Sequence, residues 1–562
     1  MTEPDGLFTL RLIFIRGLLS NIENTPANKE PGLPVNDADA TVNDPPINTN
    51  AARISADFFK LLFLKIWYFM LFLNSHCTLR QMSYIILPVE NSRNHLRVHC
   101  DVMSLFKRAL TIKHGFEIGV LAFIGVLSLA IHLLPFILYG SHPLGYDTGF
   151  YRRYLIEPFL SFPNAPVPGL GENALIPRMF LDALRLLPFS ADYILYGSYI
   201  ALFVLLSVTL YFFLRSHVGI RGAAIAALLL VLSSVQYKAY WYMLWKHAFA
   251  ACLLFLALIA LERRWTALLV FLDIALAWSH TTTAIIYLLT LGILFIVHAE
   301  RKRIFIHGAI TALAFVMVNA SLVHQISVAT PVAVFLDWSE YIVFSIPIFI
   351  VIITARIWRI SNIPLSLWAF TAVSFAFPLL KLPFFERIFI YSDIALIALS
   401  GFAIERMVSQ MNFETPTKRT YLHGAILCIT LGLFLSSLRG EVRSSRPLIS
   451  EEIFDGIAEI SAMVPSEATI LTTSDEAPWF EGWTSSHIAA PGMLRDTHNL
   501  DEWTTLWTST STEKQIEFLG EFPQPLYIAS FNGFEDLIGT PAPCLLLLTP
   551  HLLSFDVCAQ TN

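Results

Sequence analysis

The run SHPLGYDTGFYRRYL, residues 141–155, is where residue types and spacing could most directly do chemistry. Asp147 stands between Gly145 and Gly149, so a carboxylate is carried on a flexible turn where it could accept a proton or hold a cation. Behind it, Tyr151, Arg152, Arg153 and Tyr154 mix aromatic and basic side chains, and guanidinium groups in that setting could grip a phosphate. Both features have plainer origins. An aspartate flanked by glycines commonly serves a turn, and arginine beside tyrosine at a membrane interface commonly anchors a helix.

Other polar residues gather in later connections. His280 precedes a hydroxyl run, Thr281 to Thr283, and could meet a phosphate or sugar hydroxyl, or cap the next helix. Lys238 and Lys246 bracket Tyr237, Tyr240, Trp241, Tyr242 and Trp245, a set that could meet a lipid-linked anion or form an aromatic belt. Arg387 lies in KLPFFERIF with Lys381 and Glu386, and a charge so near hydrocarbon must be paired or useful. Asp337 and Glu340 occupy another connection, and Asp273 reads as a buried structural carboxylate.

These residues need a scaffold, and the composition says which kind. Hydrophobic residues make up 55% of the chain and charged residues 14%, with a mean hydropathy of +0.60, so the solvent is lipid. A net charge of −6 excludes a nucleic-acid partner, because no basic stripe is present. Eleven apolar runs predict an α-helical polytopic protein: 116–139, 193–214, 219–236, 247–261, 265–279, 281–298, 304–323, 341–358, 363–380, 388–404 and 421–438.

Orientation follows from the basic residues. Arg215 and Arg221, Arg263 and Arg264, Arg301 to Arg303, Arg356 and Arg359, and Arg406, Lys418 and Arg419 recur at every second loop, which places those loops in the cytoplasm. The long loop 140–192 and everything after Arg439 then face outward, in a multi-pass protein of the cell membrane.

Residues 1–105 form an extension expected to be disordered or dispensable, with 58–73 as an interfacial helix or a further span, and Met103 offers an alternative start. Residues 106–440 form the transmembrane domain. The tail 441–562 reads as a small extracytoplasmic α/β domain, with strands near 468–472, 526–529 and 544–548 and a helix opening at Ser450 ahead of Glu451 and Glu452. Cys544 and Cys558 share this tail and could pair in an oxidising compartment.

The strings GYDTGFYRRYL, SHTTTAIIYLL and FFERIFIYSDIALIALSG, in a chain with a large first outer loop and an outer C-terminal domain, resemble the GT-C class of membrane glycosyltransferases. The resemblance is to prokaryotic relatives of protein mannosyltransferases and oligosaccharyltransferases and covers Phe116 to the C-terminus. It implies a polyprenyl-phosphate-linked sugar donor within the membrane lipid, and an acceptor that is a glycan, a lipid or a protein. It also implies that Asp147 is the catalytic base or positions acceptor and metal, with Mg or Mn as the divalent ion. Tyr151, Arg152, Arg153, His280, Arg387 and Lys246 are the substrate-binding candidates.

There are departures. The oligosaccharyltransferase type carries a further acidic pair in the next outer loop, whereas 237–247 contains no acid. The tail has no WWDYG-like string, which disfavours transfer to asparagine of a protein. Two other classes compete: a transporter or flippase of lipid-linked saccharide, and an envelope assembly protein using Trp479, Trp483, Trp503 and Trp507.

Overall fold

Apolar runs of crossing length satisfy their own backbone only as helices when no water is at hand. The computed structural model describes residues 115–140, 142–157, 175–319, 336–382, 385–411, 417–491, 498–508, 511–531 and 544–555, all within the unit 59–562. The expected extension 1–105, the helix 58–73 and Cys558 lie outside the described residues.

The helices, in chain order, are α1 (Gly115–Tyr139), α2 (Thr148–Ile156), α3 (Leu175–Leu184), α4 (Ala191–Val231), α5 (Ser234–Trp241), α6 (Trp245–Arg263) and α7 (Thr266–Ala277). They continue as α8 (Thr281–Val297), α9 (Arg301–Asn319), α10 (Trp338–Ala355), α11 (Leu365–Leu379), α12 (Phe385–Ser409) and α13 (Lys418–Ser444). Among the described residues seven helices, rather than eleven, are long and apolar enough to cross a membrane. The difference has two sources. Helix α4 absorbs two of the expected runs, bending at Gly219 where φ is 80°, and α7, α8 and α11 are shorter apolar helices of 12, 17 and 15 residues. The protein is a multi-pass membrane protein.

Helix α12 is the buried axis of the bundle and packs against α4, α10 and α11. Gly222 and Gly401 let α4 and α12 approach closely, since an added Cβ on Gly401 would lie 2.9 Å from the Gly222 carbonyl oxygen. At one end, ion pairs tie the basic connections together. Arg215 meets Glu117, His217 meets Glu262, Arg221 meets Glu405, and Arg303 meets Glu300. Within the bundle Asp273 is satisfied by His307 Nδ1 at 2.7 Å and by the Tyr287 hydroxyl at 3.0 Å, which is the structural role expected of it.

After α13 come α14 (Glu451–Met463), β1 (Thr469–Leu471), α15 (Ala477–Trp483), β2 (His487–Ala489), α16 (Leu500–Thr508), α17 (Thr512–Gly520), β3 (Leu526–Ala529), β4 (Leu545–Thr549) and β5 (Leu552–Phe555). The sheet order is β2-β1-β3-β5-β4, with β1 parallel to β2 and β3, and β5 antiparallel to β3 and β4. Ser450 caps α14 by accepting from the Ile453 N–H at 3.2 Å, ahead of Glu451 and Glu452. Trp503, Leu506, Phe518 and Leu519 form the core against the sheet, and Cys544 is disulfide-bonded.

Candidate active site

Helix α1 rises roughly 37 Å over its length, so residues after Tyr139 lie at the opposite end of the bundle from the Glu117–Arg215 pair. Asp147 sits there, on the turn that opens α2. Its flanking glycines are required by contact. Gly145 has φ of 62° and a Cβ on it would collide with the Tyr242–Met243 backbone; a Cβ on Gly149 would collide with the Pro478 carbonyl of α15. The carboxylate is thus fixed between the α5–α6 turn and the C-terminal α/β unit.

Asp147 occupies the N-cap position of α2, yet its side chain makes no capping hydrogen bond. The turn therefore does not consume the carboxylate. Burial raises its proton affinity above the ordinary aspartate value, and the positive charges of Arg387 and Lys246 pull it partly back. Three charges from α2, α6 and α12 thus act on one another across a single partly accessible site.

Two histidines complete the cluster. The His247 and His280 rings stand 4.0 Å apart. His280 Nδ1 serves Thr283, at 2.8 Å to its hydroxyl and 3.4 Å to its N–H, so the cap of α8 and the presence of the ring in the site coexist. Burial, with Lys246 and Arg387 nearby, holds the His280 imidazole well below its ordinary proton affinity, which keeps it neutral. Tyr391 bonds Thr283 and reaches His247 Nδ1 at 3.5 Å. His247 and Tyr391 were not singled out from the sequence. Tyr391 follows Arg387 by one helical turn, and that spacing was the signal.

The remaining expected residues also have partners within the protein. Tyr151 is buried, packs on Trp245 with ring centroids 5.9 Å apart, and its phenol meets the Lys246 backbone. Asp147 and Arg387 act on the same phenol, so Tyr151 adjoins the cluster. Arg152 pairs with Asp192 at 2.8 Å, donates to the Gly482 carbonyl and lies 5.0 Å over the Trp483 ring. Arg153 donates to the Thr484 carbonyl at 2.9 Å and pairs with Glu157, with Glu481 at 3.8 Å. Through these contacts the two arginines, expected to grip a phosphate, also fasten the α/β unit onto α2. Lys238 is likewise held by Glu340 at 2.6 and 2.7 Å.

Among the described residues there is no group of three or more His, Cys, Asp or Glu arranged for a metal. One carboxylate flanked by two cations is a poor donor set for Mg or Mn, which favour several anionic oxygens.

No protein-family model matches the chain, and no curated protein matches its sequence. Solved structures do resemble its fold. An oligosaccharyltransferase from Archaeoglobus fulgidus, tethered with an acceptor peptide containing the NVT sequon, superposes with a TM-score of 0.54 at 11% identity, covering 74% of this chain and 69% of that one. The same enzyme in complex with Zn and sulfate gives 0.52 at 11% identity, over 73% and 68% of the two chains. The arabinofuranosyltransferase AftD from Mycobacteria gives 0.49 at 13% identity, over 74% and 35%. The fold is that of the GT-C class of membrane glycosyltransferases.

Proposed function

We propose that the protein transfers a sugar from a polyprenyl-phosphate-linked donor to an acceptor hydroxyl, with Asp147 as the general base. The single observation that carries this reading is the convergence of Lys246 and Arg387 on Asp147, with the His247–His280 pair beside the two cations, at one end of a lipid-embedded bundle. The oligosaccharyltransferase fold supports the reaction class.

An acceptor hydroxyl is a weak nucleophile. As its oxygen attacks the anomeric carbon, its proton passes to the Asp147 carboxylate, and the bond from that carbon to the phosphate oxygen breaks. The electron pair leaves with the lipid phosphate. Lys246 and Arg387 offset the charge developing on it, more effectively in a water-poor site than they would in solution. Neutral His280 is suited to orient a hydroxyl or phosphate oxygen through a single hydrogen bond. One direct displacement inverts the anomeric centre. The reaction takes place on the non-cytoplasmic face, and the α/β unit lies over the site there. No step is routed through a metal.

The sulfate in the oligosaccharyltransferase complex shows that protein with an oxyanion, and its tethered peptide shows that protein with an acceptor. For the present chain, asparagine is disfavoured as acceptor by the missing WWDYG-like string, which leaves a glycan or lipid hydroxyl. Asp147→Asn in the purified full chain is expected to lower transfer from a polyprenyl-phosphate sugar by about 10²- to 10⁴-fold, with insertion and thermal midpoint unchanged. Transfer within a factor of two of wild type would return Asp147 to a turn residue.

A further inference from the structure

The end of the bundle remote from Asp147 has a cavity of its own. A cavity of about 310 Å³ opens where the bend of α4, the connection after α10 and the end of α12 meet. Its polar wall carries Arg359, Arg406, Ser361 and Asn362, together with Glu405. Arg221 holds Glu405 fork to fork, Nε to Oε2 at 2.8 Å and Nη2 to Oε1 at 2.5 Å, and so cancels its charge. Arg359 and Arg406 are left as the net charge of the cavity. Among the described residues neither guanidinium has an ion-pair partner.

Val218, Ile360 and Phe402 add apolar side chains to the lining. Trp358, next to Arg359 in sequence, is 62% exposed, as an indole at a lipid–water boundary would be. The frame is stiff as well, because the Gly222–Gly401 contact locks α4 against α12 beside it. A cavity lined by two cations, by hydroxyl and amide groups and by apolar side chains, at a membrane boundary, matches a phosphodiester joined to a glycerol and acyl chains. A soluble phosphate would use the arginines and leave the apolar part of the lining without purpose.

We infer that this cavity binds the headgroup of an anionic membrane phospholipid, at a site separate from the sugar-transfer centre. The inference rests on the arginine cavity and not on the proposed reaction, so either can fail alone.

The full chain is placed in nanodiscs of phosphatidylcholine containing one part phosphatidylglycerol in five, and the lipid retained after detergent extraction is counted by native mass spectrometry. Phosphatidylglycerol is expected to be retained in preference to phosphatidylcholine, and high salt should weaken its retention. Each guanidinium near a membrane surface contributes roughly fivefold to binding an anionic lipid, so Arg359→Gln with Arg406→Gln should bind roughly thirtyfold more weakly. The charge-preserving pair Arg359→Lys with Arg406→Lys should keep most of the binding.

Equal retention of the two lipids by the wild type would overturn the proposal. So would unchanged retention of phosphatidylglycerol by the glutamine pair, or its full displacement by inorganic phosphate, which would identify a free-anion site. The wild-type measurements decide the matter even if the glutamine pair does not fold.

Discussion

Asp147 is a base only when deprotonated, so the pH profile is the direct reading of its environment. Burial raises its proton affinity and the two cations restrain the rise without cancelling it. The kcat/KM value should therefore climb with pH through an apparent pKa above that of an exposed aspartate, about 3.9. His280 is shifted in the opposite direction, so no limb from its protonation should appear near the ordinary histidine value. A profile with a histidine limb near neutrality would transfer the role of base away from Asp147. For the leaving phosphate, Arg387→Gln should reduce kcat by about 10²- to 10³-fold, and Arg387→Lys should retain part of the activity because charge matters there as well as fork geometry. Equal losses in the two variants would mean that packing, not charge, is what Arg387 supplies.

The four residues of this cluster that were legible in the sequence shared one property. Asp147, Lys246, His280 and Arg387 are polar groups at the edge of hydrocarbon, where polarity is costly unless used. Arg152 and Arg153 share that property, but their contacts with Gly482 and Thr484 were not legible, because one-dimensional spacing cannot show that the chain returns across some 330 residues to receive them. His247 was hidden for the converse reason: beside Lys246 in an apolar helix it resembled a core histidine, and only folding sets its ring against His280.

At the scale of elements, the contact between α2 and α15 decides whether the site has a roof. Gly149 and Gly482 meet backbone to backbone, with no room for a methyl group. Gly149→Ala should cost about 1–3 kcal/mol, seen as a lower thermal midpoint and faster proteolytic release of the α/β unit. Gly197→Ala, on α4 with open space around its Cβ, should be close to neutral. A Gly149→Ala protein as stable and protease-resistant as Gly197→Ala would show that α2 and α15 are not tightly docked. The sequence already implied an α/β tail through its apolar runs near β1, β3 and β4. Strands β2 and β5 were not singled out: His487–Ala489 holds one large aliphatic residue, and Leu552–Phe555 follows directly on the apolar run of β4. Eleven apolar runs correspond to seven helices of crossing length because α4 joins two of the runs and α7, α8 and α11 are shorter apolar helices of 12, 17 and 15 residues.

For the whole molecule, the two ends of the bundle have opposite chemistry, and the proposed function needs them on opposite sides of the membrane. One end gathers Arg215, Arg221 and Arg303 into ion pairs and carries the arginine cavity; the other carries Asp147 and the α/β unit. Basic connections remain in the cytoplasm, so the Asp147 end should face outward. Introduced cysteines test this in a background where Cys428, exposed on α13, and Cys77 and Cys100 are replaced by serine. With a membrane-impermeant maleimide on intact cells, Glu451→Cys on α14 should be labelled at once, and Arg359→Cys only after permeabilisation. The reverse pattern would put the carboxylate, its cations and the α/β unit in the cytoplasm, and a transfer reaction on the outer face would then have no site in this protein.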